Sequence, residues 1–157
     1  MPKGLVVYDS KTGHTEKMAM AISQGMERGG IEVKAKRVEN ASLSDLSDAD
    51  AIVLGSPTYF GNMSGSMKAF VDKSIGLYPD KLNDKVGAAF TSYGGEGDYT
   101  ALLSLIVAMF FHQMIIVGHQ SGKPGAISME EPDDKCIAEC QVFGERIASF
   151  TKVIAKK

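Results

Sequence analysis

Cysteine and net charge are both scarce in this chain, and each scarcity excludes a class of protein. Cys136 and Cys140 are the only two cysteines in 157 residues, so no disulfide framework carries the fold, and reduced thiols suit a cytoplasmic protein. They fall four apart on one face of an expected helix. With no His or further Cys at ligand spacing, they read as packing residues rather than a metal site. The formal net charge is −2, without the basic excess that a nucleic-acid partner requires. Met1-Pro2-Lys3-Gly4 runs straight into a strand with no signal-peptide core, so a cytoplasmic location is expected. At 44% hydrophobic and 23% charged, the 157 residues are expected to form one domain, 1–157, with its own core.

Long apolar runs are also rare. Ala101 to Gly118 approaches membrane-spanning length, but Ser104 and the adjacent pair His112-Gln113 would sit at the costliest depth of a bilayer. No membrane span is expected. The stretch reads as a buried helix ending near His112, then a strand, Met114-Ile115-Ile116-Val117. The helix is apolar enough that part of it is expected to cover a subunit interface, as in a homodimer.

Two further absences concern phosphate binding. No G-x-x-x-x-G-K-[ST] and no G-x-G-x-x-G stands after the first strand, which argues against a nucleoside triphosphate or a dinucleotide there. The strand itself, Leu5-Val6-Val7-Tyr8, is apolar on both faces, as a central parallel strand must be. It opens instead into Ser10-Lys11-Thr12-Gly13-His14-Thr15, a turn with three hydroxyls and a glycine at the start of a helix. A helix start offers unpaired N–H groups and a positive dipole end, so a terminal phosphate is held without any lysine. The plainer alternative is a helix cap by Ser10 or Thr12, with Glu16 in the first turn, although one hydroxyl would suffice for that.

Strands and helices alternate along the chain. Strand one covers Lys3 to Tyr8, and helix one covers about Gly13 to Arg28 with Thr15, Met18, Ala19, Ile22 and Met26 on one face. Ile31 to Val38 alternates apolar and charged residues, as an edge strand does. A helical turn at Ser42 to Leu46 precedes strand three, Ala51 to Leu54. A loop, Gly55 to Asn62, leads to a helix with Met67, Phe70, Val71, Ser74 and Ile75 on one stripe. Strand four is Val86 to Phe90, and a second loop spans Thr91 to Asp98. Gln120 to Pro132 is too long for a mere connection, and the last helix starts near Asp133-Asp134 and ends with Lys152, Lys156 and Lys157. This pattern predicts an α/β fold: a doubly wound five-stranded parallel sheet of order 2-1-3-4-5 with helices on both faces. Ligands of such sheets lie beyond the carboxyl ends of strands one, three and four, where the three unusual loops fall.

Loop two brings Tyr59 and Phe60 on a proline-stiffened stretch, with Gly61 and Asn62 after them. Loop three brings Tyr93 and Tyr99 around Gly94 and Gly95. Aromatics with close-approach glycines suit a flat ring system, and phosphate plus a planar heterocycle implies a mononucleotide.

On these motifs the chain resembles the flavodoxin-like superfamily of FMN proteins over essentially its full length. Ser10-x-Thr12-Gly13-x-Thr15 matches the phosphate loop. Gly55-Ser56-Pro57-Thr58-Tyr59-Phe60-Gly61-Asn62-Met63 resembles the second flavin loop of the branch with NAD(P)H:quinone oxidoreductases. By that resemblance Ser10, Thr12, Gly13, His14 and Thr15 hold the FMN phosphate. Pro57, Thr58, Tyr59, Phe60, Gly61 and Asn62 contact the ring, with Gly61 near its reactive edge. Ser92, Tyr93, Gly94, Gly95 and Tyr99 complete the pocket. His14 stands where relatives often carry an amide; it either uses only its backbone N–H or charges against the phosphate at low pH. His112 is expected to complement a helix dipole as a cation. His119, after strand five, is either an exposed loop residue or a substrate contact.

The resemblance implies one of two activities. A low-potential electron carrier would dock on redox proteins such as ferredoxin-type donors or reductases, and the short chain favours it. An NAD(P)H-dependent quinone oxidoreductase would complete its pocket across subunits, and loop two, the apolar helix and the Gln120 to Pro132 segment favour that. Few acidic side chains are expected near the ring, which predicts a less negative second reduction potential than acidic relatives have. A response-regulator receiver needs an aspartate where Gly55-Ser56 stands, and a related phosphatase needs a cysteine loop after strand one. Both are set aside.

Overall fold

The structure, a computed structural model, describes residues 1–156; Lys157, one of the closing cations expected from the sequence, lies outside them. Its strands are β1 (Lys3–Tyr8), β2 (Glu32–Arg37), β3 (Ala51–Pro57), β4 (Val86–Tyr93), β5 (Ile115–Ile116) and β6 (Ala126–Met129). Its helices are α1 (His14–Arg28), α2 (Leu43–Asp48), α3 (Gly65–Lys73), α4 (Asp98–Phe111) and α5 (Asp134–Ile154). The sheet runs β2-β1-β3-β4-β5 with every pairing parallel, and β6 also pairs with β4. This is the flavodoxin-like α/β order expected from the sequence.

Alternation along β1 shows how the sheet divides two cores. Val6 and Tyr8 face α1 and α5, packing with Met18, Ile22, Met26, Phe143 and Ile147. Leu5 and Val7 face the other way, packing with Met67, Phe70, Leu102, Leu105 and Met109 of α3 and α4. The expected α1 stripe of Thr15, Met18, Ala19, Ile22 and Met26 is buried throughout. Ser42 and Asp45 form a reciprocal capping box on α2, and Asp133 accepts from the Cys136 N–H at the start of α5.

Four expectations need correction. β3 and β4 continue past Leu54 and Phe90 into the segments read as loops, because Ser56, Thr91 and Ser92 are small enough to be buried and find hydrogen-bond partners there. The fifth sheet position is filled twice: β5 lies beside Val86 and Gly87, and β6 lies beside Phe90 to Tyr93. The segment Gln120 to Pro132 is therefore partly strand. Ile75 leaves the α3 stripe and is exposed, since a tighter 3-10 turn replaces the α-helix from Ser74 to Leu77.

The last correction concerns histidines. His112 is buried at the end of α4 and burial pushes its pKa down, so it is a neutral ring rather than a dipole-paired cation. His119 is neither exposed nor at the loop cluster. Its Nδ1 lies 2.7 Å from Ser121 Oγ, and its ring packs on Phe143 with centroids 5.2 Å apart.

Candidate functional site

The carboxyl ends of β1, β3 and β4 carry the site. Asp9 leaves β1 with its N–H donating to Gly55 O at 3.0 Å. Gly13 then turns the chain with φ +93 into α1, and the space where a side chain would stand is empty for 4 Å around. Ser10 Oγ accepts from the N–H groups of Gly13 at 3.1 Å and Glu16 at 3.3 Å. The cap position itself is Gly13, so neither Ser10 nor Thr12 is the N-cap expected as the plainer alternative, although Ser10 Oγ takes up the Glu16 N–H of the first turn from outside the helix. Thr12 is left exposed, and Thr15 Oγ1 bonds Ser92 Oγ at 2.7 Å, tying the first turn of α1 to the end of β4. Arg37, reaching across from β2, donates to Ser10 O at 3.1 Å and pairs with Glu16, bringing a guanidinium behind the phosphate loop.

Hydroxyls also fasten loop two. Thr91 Oγ1 donates to Ser56 O at 2.7 Å, so the Thr58 hydroxyl, 2.7 Å away, donates to Thr91. Thr58 N–H donates to Ser92 O at 2.8 Å. Beyond it, Tyr59 and Asn62 exchange backbone hydrogen bonds of 3.0 Å across a two-residue turn made by Phe60 (φ 50) and Gly61 (φ 70). Positive φ at both central positions is the geometry of a tight hairpin turn, and a phenylalanine held there is strained. The turn throws Phe60 fully into solvent and leaves Tyr59 half exposed.

A cavity of about 430 Å³ opens between these pieces. It is lined by Thr12, His14 and Thr15 from the phosphate turn, by Pro57, Thr58 and Tyr59 from loop two, and by Ser92, Tyr93 and Gly94 from β4 and loop three. Nine of the sixteen residues expected from the sequence thus meet around one space. Ser10 and Gly13 build the turn beside it, while Phe60, Gly61, Asn62, Gly95 and Tyr99 do not line it. Tyr99 belongs to the first turn of α4 and is half exposed.

The cavity also contains residues that the sequence pattern did not reveal: Lys11, Glu130 and Glu131. Both carboxylates come just after β6, whose pairing with β4 places them there; Glu130 N–H donates to Tyr93 O at 2.7 Å. The one signal for them was the over-long Gln120 to Pro132 segment. Lys17 pairs with Glu131, and that hydrogen bond and charge hold the carboxyl below its ordinary range. The surroundings are therefore not as free of acid as expected. One end of the cavity is a helix start with hydroxyls, and its walls carry two tyrosines and an open glycine. These features fit a phosphomonoester joined to a flat ring.

No helix among the described residues is long and apolar enough to cross a membrane, and none of their His, Cys, Asp or Glu side chains cluster in threes as metal ligands do.

The model of the NADPH-dependent FMN reductase family matches residues 40–126 of this chain. An NAD(P)H dehydrogenase (quinone) of Archaeoglobus fulgidus is 36% identical over 190 residues, covering 97% of this chain and 98% of its own. A solved flavodoxin from the domain Archaea is 32% identical with a TM-score of 0.84, covering 96% of this chain and 99% of that one. A flavodoxin, WrbA-like protein from Agrobacterium tumefaciens is 28% identical with a TM-score of 0.86, covering 98% and 99%. The cofactor of this family and fold is FMN, as the loops require. By the family match and the whole-length identity, the chain belongs to the NADPH-dependent FMN reductase family, within the flavodoxin-like FMN proteins.

Proposed function

We propose that this protein is an FMN-dependent NAD(P)H:quinone oxidoreductase. The observation that carries the reading is the 36% identity with the archaeal quinone dehydrogenase across nearly the whole of both chains. The relatives support this second activity better than the carrier that chain size favours. Bound FMN supplies the redox chemistry, taking hydride from a nicotinamide and passing electrons to a quinone.

The chain's own residues bind and orient. Ser10, Thr12, Gly13, His14 and Thr15 hold the phosphate at the start of α1, and Arg37 adds its charge from behind. Pro57, Thr58 and Tyr59 form one wall for the ring, with Phe60, Gly61 and Asn62 continuing that loop; Ser92, Tyr93 and Gly94 form the other, with Gly95 and Tyr99 continuing loop three. The Thr58–Thr91–Ser56 hydroxyl chain fixes the first wall to the sheet. Phe60, held outward by its turn, leaves an aromatic surface beside the ring for a second flat molecule. Two free thiols suit a reducing compartment, and we place the protein in the cytoplasm.

A second reading has one specific observation behind it. The alignment with the quinone dehydrogenase spans 190 residues, longer than this 157-residue chain, so the relative carries more than thirty residues that this chain lacks. This favours a carrier that docks on redox proteins. Anaerobic mixing of FMN-loaded protein with NADH or NADPH separates the two: rapid bleaching of flavin absorbance, reversed by a quinone, supports the reductase. No bleaching, with ready reduction by a ferredoxin-type donor, supports the carrier.

A further inference from the structure

A second cavity, about 630 Å³, lies in the groove between α3 and α4 and meets the flavin loops only at Met63. Its walls are apolar: Met63, Val71, Ile75, Val107 and Phe111, of which Ile75 and Phe111 are 70% and 71% exposed. Its polar groups are occupied. Lys68 pairs with Asp72 at 2.6 Å, and the Ser104 hydroxyl donates to Ala101 O at 2.6 Å.

His112 is the exception. Only 9% exposed, it reaches the groove from the end of α4. Ser74 Oγ lies 2.6 Å from Val71 O, which can only accept, so the Ser74 hydroxyl proton points there. Ser74 must then accept from His112 Nε2, 2.8 Å away, which fixes the proton on Nε2. Nδ1 is left as a bare lone pair, and it has no hydrogen-bond partner among the described residues. A buried acceptor left unmade is unfavourable, so an occupant that brings a donor is favoured over one that does not. Nδ1 is itself buried, so an occupant reaches it only if a neighbouring side chain turns aside, and the half-exposed Tyr78 stands beside it with ring centroids 6.3 Å apart.

We infer that this groove binds a neutral aromatic ring compound carrying a hydroxyl, with the ring between α3 and α4 and the O–H donated to His112 Nδ1. The reduced form of a quinone belongs to this class. The oxidised form, which presents only carbonyl acceptors, does not. Met63 N–H, 3.2 Å from Ser104 Oγ, joins the end of loop two to this groove.

The test uses the full FMN-loaded chain with 2-naphthol and, as the control without a donor, 2-methoxynaphthalene. Calorimetry is expected to give one 2-naphthol per chain and at least tenfold weaker binding of the methyl ether. Nitrogen NMR should show the His112 Nδ1 resonance moving with 2-naphthol alone. His112→Gln keeps a donor toward Ser74 but lacks the second ring nitrogen, and should erase the preference. If that variant does not fold, Phe111→Ala should weaken both probes several-fold. Equal affinities, no binding, or an unmoved His112 resonance overturns the inference. So does a dimer in sedimentation that Phe111→Glu splits, because a second copy of the chain then fills the groove. None of these results depends on how the flavin is reduced.

Discussion

Gly61 and Gly97 meet backbone to backbone: a Cβ on Gly97 would stand 2.6 Å from Gly61 Cα and 3.0 Å from its nitrogen. The two aromatic loops are therefore one packed unit, closed by Thr100, whose hydroxyl donates to Gly97 O at 2.9 Å. Gly97→Ala must push the loops apart and also hold alanine at φ +89. The conformational strain alone costs about 1–3 kcal/mol. FMN affinity, read by flavin fluorescence quenching, is expected to fall about tenfold or more, with far-ultraviolet circular dichroism unchanged.

Thr12 is exposed on the cavity wall and makes no hydrogen bond within the described residues. Its proposed partner is the phosphate, and a hydrogen bond to a charged group contributes about 1.5–3 kcal/mol. Thr12→Val should weaken FMN binding about tenfold or more. Riboflavin, which has no phosphate, should bind both proteins alike. Equal loss for both ligands would place Thr12 elsewhere.

Lys85 closes α2 rather than touching the site. Its half-buried ammonium donates to Ser47 O at 2.6 Å, to Leu46 O at 3.4 Å and to Ala49 O. Lys85→Met leaves these carbonyls unpartnered at about 1–3 kcal/mol. Urea denaturation should show that loss while FMN affinity stays as it was.

Burial lowers the pKa of both His112 and His119. Below about pH 6.5 the unfolded rings take up protons that the folded ones refuse. Stability is therefore whole above that pH and declines as pH falls toward the folded values. Each ring contributes at most about 1.4 kcal/mol per pH unit. Urea midpoints from pH 7.5 down to 5 should fall less steeply for His112→Gln than for the parent chain. Identical slopes would mean that the folded His112 ring takes up its proton as readily as the unfolded one.

Much of the fold was legible from the chain. The strands could be ordered because Val6-Val7 and Ile52-Val53 are apolar on both faces, while Glu32 to Arg37 alternates. The phosphate turn was legible because three hydroxyls exceed what a cap needs. Harder to read were the strand ends, where Ser56, Thr91 and Ser92 look like loop residues until their partners across the ladder are known. His112 was misread for a similar reason: Ser74, which occupies one of its nitrogens, lies 38 positions away. Arg37, Glu130 and Glu131 reach the site only through strand pairing, which no local pattern contains.

The interrupted border strand has a practical side. The backbone leaves β4 after Val117 and returns at Ala126, and the ladder on either side is complete without the stretch between. Lengthening such an excursion costs only about 0.6 kcal/mol per doubling. A fluorescent reporter or affinity peptide spliced near Gly122 should leave the coenzyme cradle intact, which makes this bend a port for building a biosensor.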